Sequence, residues 1–74
     1  MIRDAIDALV QGKSLTTEEA AGAMNEIMSE EATPAQFGAF VTALRLKGET
    51  PDEVAGMART MREKSLHVHV DGPL

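Results

Sequence analysis

The sequence predicts an all-α fold: a small four-helix bundle followed by an extended C-terminal hinge segment. Apolar residues recur at helical spacing in four stretches of the 74-residue chain. Thr33 and Thr50 each precede a proline and stand three residues before a Gln or a Glu. This pattern is typical of a helix start. Gly48 lies between the two starts and can close the helix before it, which predicts a tight helical hairpin.

The first helix is expected from Ile2 to about Gln11, with Gly12 as its stop. The residues that share its apolar face are Ile2, Ala5, Ile6, Leu9 and Val10.

The second helix is expected to begin after Thr16 or Thr17, because Thr16 and Glu19 match a capping box. Its buried stripe is expected to comprise Ala20, Ala23, Met24, Ile27 and Met28. No glycine closes its end, where acids such as Glu30 oppose the helix dipole.

The third helix is expected from Pro34 to about Lys47, and it is apolar nearly all round. Such a helix is usually buried on more than one side, so it should form the centre of the bundle or contact a partner. The fourth helix is expected from Pro51 to about Ser65. The residues expected to face inward from it are Val54, Met57, Ala58 and Met61. From Leu66 the pattern alternates with period two, which predicts an extended segment.

The composition excludes several classes of function. The chain has no cysteine, so it has no disulfide and no thiolate chemistry. Its net charge of −5 argues against nucleic-acid binding, which needs clustered Lys and Arg. No apolar run is long enough to cross a membrane, and the first residues lack the form of a signal peptide. A cytoplasmic location is therefore expected.

The residues alone show no catalytic constellation, no cofactor site and no metal site. His67 and His69 are two ligands at most, and an extended segment with solvent-facing imidazoles explains them more simply. Ser14 lies in Lys13-Ser14-Leu15, where an acyl carrier protein would have an acid before the serine, so we interpret it as a loop residue. The methionine pairs on helices two and four are expected to be core residues.

Several segments together resemble one known domain. They are Gly12-Lys13-Ser14-Leu15-Thr16-Thr17-Glu18-Glu19-Ala20, Thr33-Pro34-Ala35-Gln36-Phe37-Gly38-Ala39-Phe40 and Ala43-Leu44-Arg45-Leu46-Lys47-Gly48-Glu49-Thr50. The sequence resembles the N-terminal helical domain of the anthranilate phosphoribosyltransferases, in the glycosyltransferase family that also holds the pyrimidine nucleoside phosphorylases. The resemblance implies a helical domain over residues 1–65 and a hinge or linker over 66–74 that ends before an α/β catalytic domain.

The resemblance also implies a function. The full enzymes transfer phosphoribose from phosphoribosyl diphosphate to anthranilate, with magnesium, in tryptophan biosynthesis. Their phosphate and metal ligands lie beyond this chain's last residue, so the fragment alone is expected to be inactive. Its expected role is homodimerisation and formation of one wall of the substrate cleft. The candidate core or dimer-interface residues are Ile2, Ile6, Leu9, Phe37, Phe40, Val41 and Leu44.

One departure and two alternatives remain at this point. The family usually has glycine at position 30, where this chain has Glu30, which predicts a local weakness at the end of helix two. The alternatives are the corresponding domain of a pyrimidine nucleoside phosphorylase and a free-standing helical interaction module.

Overall fold

A computed structural model describes residues 1–67, and the side chains of residues 1–64. It contains four helices, α1 (Ile2–Val10), α2 (Thr17–Met28), α3 (Pro34–Lys47) and α4 (Pro51–His67). The predicted all-α fold class is confirmed, and the predicted bounds agree with the structure to within about two residues.

The extended segment predicted from Leu66 is wrong for its first two residues, because α4 continues to His67. Adding a residue to an existing helix gains one backbone hydrogen bond without a new nucleation step, so it can override a local period-two pattern. The rest of the predicted hinge, including His69, lies outside the described residues.

The predicted helix starts form through reciprocal hydrogen bonds. In the first, the Glu19 N–H donates to the Thr16 hydroxyl oxygen at 3.1 Å, and the Thr16 N–H donates to the Glu19 carboxylate at 2.9 Å. The three capping boxes are Thr16–Glu19, Thr33–Gln36 and Thr50–Glu53. Each of them satisfies two backbone donors that a helix start would otherwise leave free.

The ends of α1 and α2 have the same backbone hydrogen-bond pattern. They differ in the residue with positive φ that closes the helix, which is glycine after α1 and glutamate after α2. After α1, Gly12 takes a φ of +84°. After α2, Glu30 takes a φ of +62°, and its N–H donates to the Ile27 carbonyl at 3.2 Å. The Glu31 N–H then donates to the Glu26 carbonyl at 2.9 Å, which completes a Schellman motif. Glu30 therefore takes a left-handed conformation at the position where the resemblance implies glycine and predicts a local weakness.

The helices pack chiefly as two pairs, α2 with α4 and α1 with α3. Along the first pair, Arg59 contacts Glu18, and further on Lys64 contacts Ser29. Both helices advance together through these contacts, so α2 and α4 run parallel. The core lies mainly between α1, α2 and α3 and is built from Ile2, Ala5, Leu9, Leu15, Ala20, Ala23, Phe40, Ala43 and Leu44.

Several predicted inward positions are exposed. On α1, Val10 is 71% exposed, and on α2, Met28 is also exposed. Both lie at the last position of their helix, where fewer neighbouring side chains can cover them. On α4, Val54 is 49% exposed and Met61 is 43% exposed, so the predicted inward stripe of this helix is wrong at these two residues.

The buried face of α4 is instead formed by Glu53, Gly56 and Thr60. A Cβ atom at Gly56 would overlap the Thr17 carbonyl oxygen and lie 3.0 Å from the Ala21 nitrogen. The glycine therefore allows the backbones of α2 and α4 to approach closely. Since the Thr60 hydroxyl also donates to the Ala21 carbonyl at 3.1 Å, this close approach decides which face of α4 is buried.

Candidate functional site

The outward face of α3 is the best candidate for a functional surface. The helix has no charged residue from Pro34 to Leu44, and it packs mainly on α1. Its exposed side includes Phe37, which is 47% exposed, and Val41, which is 41% exposed. Much of the helix therefore faces outward and is not covered within the domain. Contact with a partner, the second of the two arrangements predicted for α3, stays a prediction.

An open hollow lies near each end of α3. The hollow at its start has a volume of about 490 Å³ and is lined by Ile27, Glu30, Ala32, Thr33, Pro34 and Phe37. The hollow at its end has a volume of about 260 Å³ and is lined by Leu9, Val10, Gly12, Ala43, Leu46 and Lys47. Apolar side chains around open hollows suit contact with another apolar surface.

The structure divides the seven predicted core or interface residues into two groups. The buried ones are Ile2, Leu9, Phe40 and Leu44, and the half-buried Ile6 packs against them. Phe37 and Val41 are exposed and available for contact with a partner. These two residues lie four positions apart on one side of α3, so they form a single small patch.

Glu53 is a buried junction that the sequence analysis missed. Its side chain is 0% exposed, and it accepts hydrogen bonds from the Leu15 N–H at 2.7 Å and from the Lys47 ammonium at 3.0 Å. It also accepts from the Thr50 N–H at 2.8 Å as part of the capping box. The carboxylate thus ties the α1–α2 connection, the end of α3 and the start of α4 together.

The charge of Glu53 is stabilised within this junction. Burial alone raises the pKa of a carboxyl group. The hydrogen bonds from Leu15, Lys47 and Thr50, together with the positive charge of Lys47, outweigh burial and hold the pKa of Glu53 below its ordinary value. The sequence around Glu53 does not reveal this role. Its hydrogen-bond donor Leu15 lies 38 residues away, and the capping box with Thr50 already accounts for a glutamate at this position.

A second ion pair lies on the surface of the α2–α4 contact. Both guanidinium nitrogens Nη1 and Nη2 of Arg59 donate to the Glu18 carboxylate at 3.0 Å. The hydrogen bond from Arg59 and its positive charge lower the pKa of Glu18. The pair links α4 to α2 at the surface of the domain.

The described residues were also compared with the requirements of a metal site and of a membrane-spanning helix. Within residues 1–67, no three His, Cys, Asp or Glu side chains are grouped to hold a metal ion. Ser14 is exposed in the connection before α2. None of the four helices, as far as they are described, is both long and apolar enough to cross a membrane.

Comparison with known proteins places this architecture in a family. The sequence profile described as "Glycosyl transferase family, helical bundle domain" matches residues 3–65. The chain belongs to this family. Its match ends within α4, which agrees with a helical domain that closes with that helix.

Individual relatives share more than half of the sequence. Proteins named anthranilate phosphoribosyltransferase from Chloroflexus aurantiacus and from Roseiflexus castenholzii are each 62% identical over 73 residues, which is 99% of this chain. The protein of the same name from Dehalococcoides mccartyi is 55% identical over 74 residues. The chain spans 22% of the length of each of these relatives and matches their N-terminal portion.

Proposed function

We propose that this chain acts as the helical domain of an anthranilate phosphoribosyltransferase. Such an enzyme joins the phosphoribose of phosphoribosyl diphosphate to anthranilate, with magnesium, in cytoplasmic tryptophan biosynthesis. The observation that carries the proposal is the 62% identity to relatives of that name across 99% of this chain. The segments that carry the resemblance include Thr33 and Gln36, whose capping box forms in the structure.

Within that enzyme, the domain would serve assembly and not bond making. This chain spans 22% of the length of the relatives, so the remaining part of such a polypeptide is the proposed place of the reacting groups. The proposed roles of this chain are to form one wall of the substrate cleft and to associate with a second copy.

The outward face of α3 is the proposed dimer surface. It is uncharged up to Leu44 and exposes Phe37 and Val41, and Phe37 also lines the open hollow at the start of the helix. A two-fold contact would bring this patch against its own copy, so each substitution would act twice in one dimer. Apolar patches of this kind lose solvent-exposed area on association, which supplies the driving force.

A chimeric enzyme tests the proposal directly. The first segment of the Chloroflexus aurantiacus relative would be replaced by this chain, and loss of anthranilate fluorescence would be followed with phosphoribosyl diphosphate and magnesium. We expect turnover by the chimera and none by this chain alone. A folded chimera that does not consume anthranilate would contradict the proposal and favour the phosphorylase domain or the interaction module.

A further inference from the structure

Glu30 has a backbone conformation that suits glycine better than glutamate. Its φ of +62° lies in the left-handed region, and no other non-glycine residue in the described part of the chain has a positive φ. Strained residues of this kind cluster at functional sites, so the outlier indicates a role for the side chain. Closing α2 is not that role, because glycine would close it with less strain.

The Glu30 side chain lies beside the exposed patch of α3. It lines the hollow at the start of that helix together with Ile27, Pro34 and Phe37. Glu30 is exposed, and within residues 1–64 it forms no salt bridge. A largely apolar hollow with one carboxylate in its lining suits a group that is both apolar and cationic. An arginine side chain has both properties, because its stem is apolar and its guanidinium also stacks on aromatic rings.

Arg45 is the exposed charge of α3. The helix carries two charged residues, Arg45 and Lys47. Lys47 is bound to Glu53 in the buried junction, whereas Arg45 is exposed and forms no salt bridge within residues 1–64. Arg45 also extends the patch, because Phe37, Val41 and Arg45 stand at positions i, i+4 and i+8 along one side of the helix.

The charges on this stripe favour one of two symmetric arrangements with a second copy. If the two α3 helices were parallel, Arg45 of each copy would lie beside its equivalent, and the like charges would repel. If they are antiparallel with Val41 at the two-fold axis, Arg45 of one copy lies level with Phe37 of the other. Since Phe37 lines the same hollow as Glu30, the arginine then reaches the Glu30 carboxylate.

We propose that Glu30 and Arg45 form reciprocal ion pairs between two antiparallel copies of α3, and that these pairs set the register of the association. The inference rests on the proposed function in taking the outward face of α3 as the dimer surface. It adds a charged contact that a copy with glycine at position 30 would lack. A guanidinium between a carboxylate and the ring of Phe37 gains both a charge-assisted hydrogen bond and a cation–π contact.

Charge reversal followed by mixing tests the ion pairs. Glu30→Lys and Arg45→Glu each bring like charges together twice in a dimer of identical chains. Each variant alone should therefore associate roughly tenfold more weakly than the parent chain at low salt. An equimolar mixture should recover most of the association, because the two altered side chains then meet each other and so do the two unaltered ones. Sedimentation equilibrium gives the association constants, and native mass spectrometry identifies the mixed dimer.

Two neighbouring residues of α4 provide matched controls. Glu63→Lys and Arg62→Glu make the same changes of charge at exposed positions of a helix that packs mainly on α2. Neither control variant should weaken association, and their mixture should gain nothing. Salt gives a second readout: at 1 M NaCl the Debye length is about 3 Å, so the difference between Glu30→Lys and the parent should largely disappear.

Glu30→Gly separates the ion pair from the backbone strain. This variant loses the carboxylate and also the strain, so the single chain should melt at a higher temperature. It should nevertheless associate roughly fivefold more weakly than the parent chain, because two exposed ion pairs are lost in each dimer. A glutamate without a contact to a second copy would not give these opposite effects, so unchanged association would contradict the proposal.

The remaining outcomes separate this inference from the proposed function. A mixture that associates no more strongly than its two components overturns the ion pairs. If Val41→Gln weakens association and the charge variants do not, the proposed dimer surface stands and the ion pairs are rejected. A parent chain that remains monomeric at millimolar concentration rejects both the ion pairs and the dimer surface, while turnover of anthranilate by the chimera tests the enzyme assignment independently.

Discussion

Replacing Gly56 with alanine should strongly destabilise the domain. The added Cβ would overlap the Thr17 carbonyl oxygen and would lie 3.1 Å from the Thr17 carbonyl carbon. Both neighbours belong to the backbone of α2, so no side-chain rotation can relieve the overlap. α2 and α4 must move apart, which weakens the hydrogen bond between Thr60 and the Ala21 carbonyl.

The expected loss of stability is large for a domain of this size. Overpacking a tight contact costs about 1–3 kcal/mol, and a rigid backbone neighbour places this site at the upper end. Loss of one hydrogen bond adds about 1 kcal/mol. The better helix propensity of alanine offsets about 1 kcal/mol. The net loss of about 3 kcal/mol should lower the unfolding midpoint by roughly 12–24 °C.

Gly38→Ala is the matched control for this prediction. Gly38 is also helical, but an added Cβ there would meet no atom within 4 Å. This variant should therefore gain stability, by up to about 1 kcal/mol. Circular dichroism melting of the two variants and the parent chain provides the measurement. If Gly56→Ala melts at or above the temperature of Gly38→Ala, the close approach of α2 and α4 is refuted.

Three further predictions concern single positions. Glu30→Gly should raise the unfolding free energy by about 1 kcal/mol in urea titrations, because glycine adopts the positive φ without steric strain; an unchanged or lower value would contradict this. Glu53→Gln should lower it by about 3 kcal/mol at pH 7, since it leaves Lys47 buried without its carboxylate. The pKa of Glu53 is lowered in the folded state. The stability that its charge contributes is therefore full above the ordinary pKa of about 4.3 and is lost as the pH falls through the lower folded-state pKa. The difference in unfolding free energy between the parent and Glu53→Gln should then shrink in acid, and a constant difference from pH 7 to pH 3 would refute this. Val41→Gln should weaken self-association in sedimentation equilibrium with little change in melting, whereas the buried Leu44→Ala should lower stability by about 2–5 kcal/mol; equal effects on melting would remove the distinction between surface and core.

Sequence alone was sufficient for the starts of the helices. The capping box of Thr16 and Glu19, and that of Thr33 and Gln36, form as predicted because each needs only residues three positions apart. These capping signals are local, and the rest of the fold has little influence on them. For Glu30 the indication came instead from the resemblance to a family that usually has glycine at this position, and Glu30 does take a positive φ.

The candidate dimer surface was predictable only as a set of residues. The pattern identified Phe37, Phe40, Val41 and Leu44 as apolar positions of α3, but the same spacing suits either a core or an interface. The division came from the placement of α1, which covers Phe40 and Leu44 and leaves the other two exposed. Periodicity gives the side of a helix that is apolar and does not specify what covers it.

The face of α4 that is buried was decided by the tertiary structure. Val54 and Met61 have the helical spacing of a core stripe, yet both are exposed, whereas Met57 packs against the core and Glu53, Gly56 and Thr60 are buried. Two long-range features outweigh the apolar pattern: Gly56 admits the backbone of α2, and Glu53 accepts a hydrogen bond from Leu15, which lies 38 residues away. A local sequence pattern fixes where a helix begins and ends, but its orientation depends on surfaces brought together from distant parts of the chain.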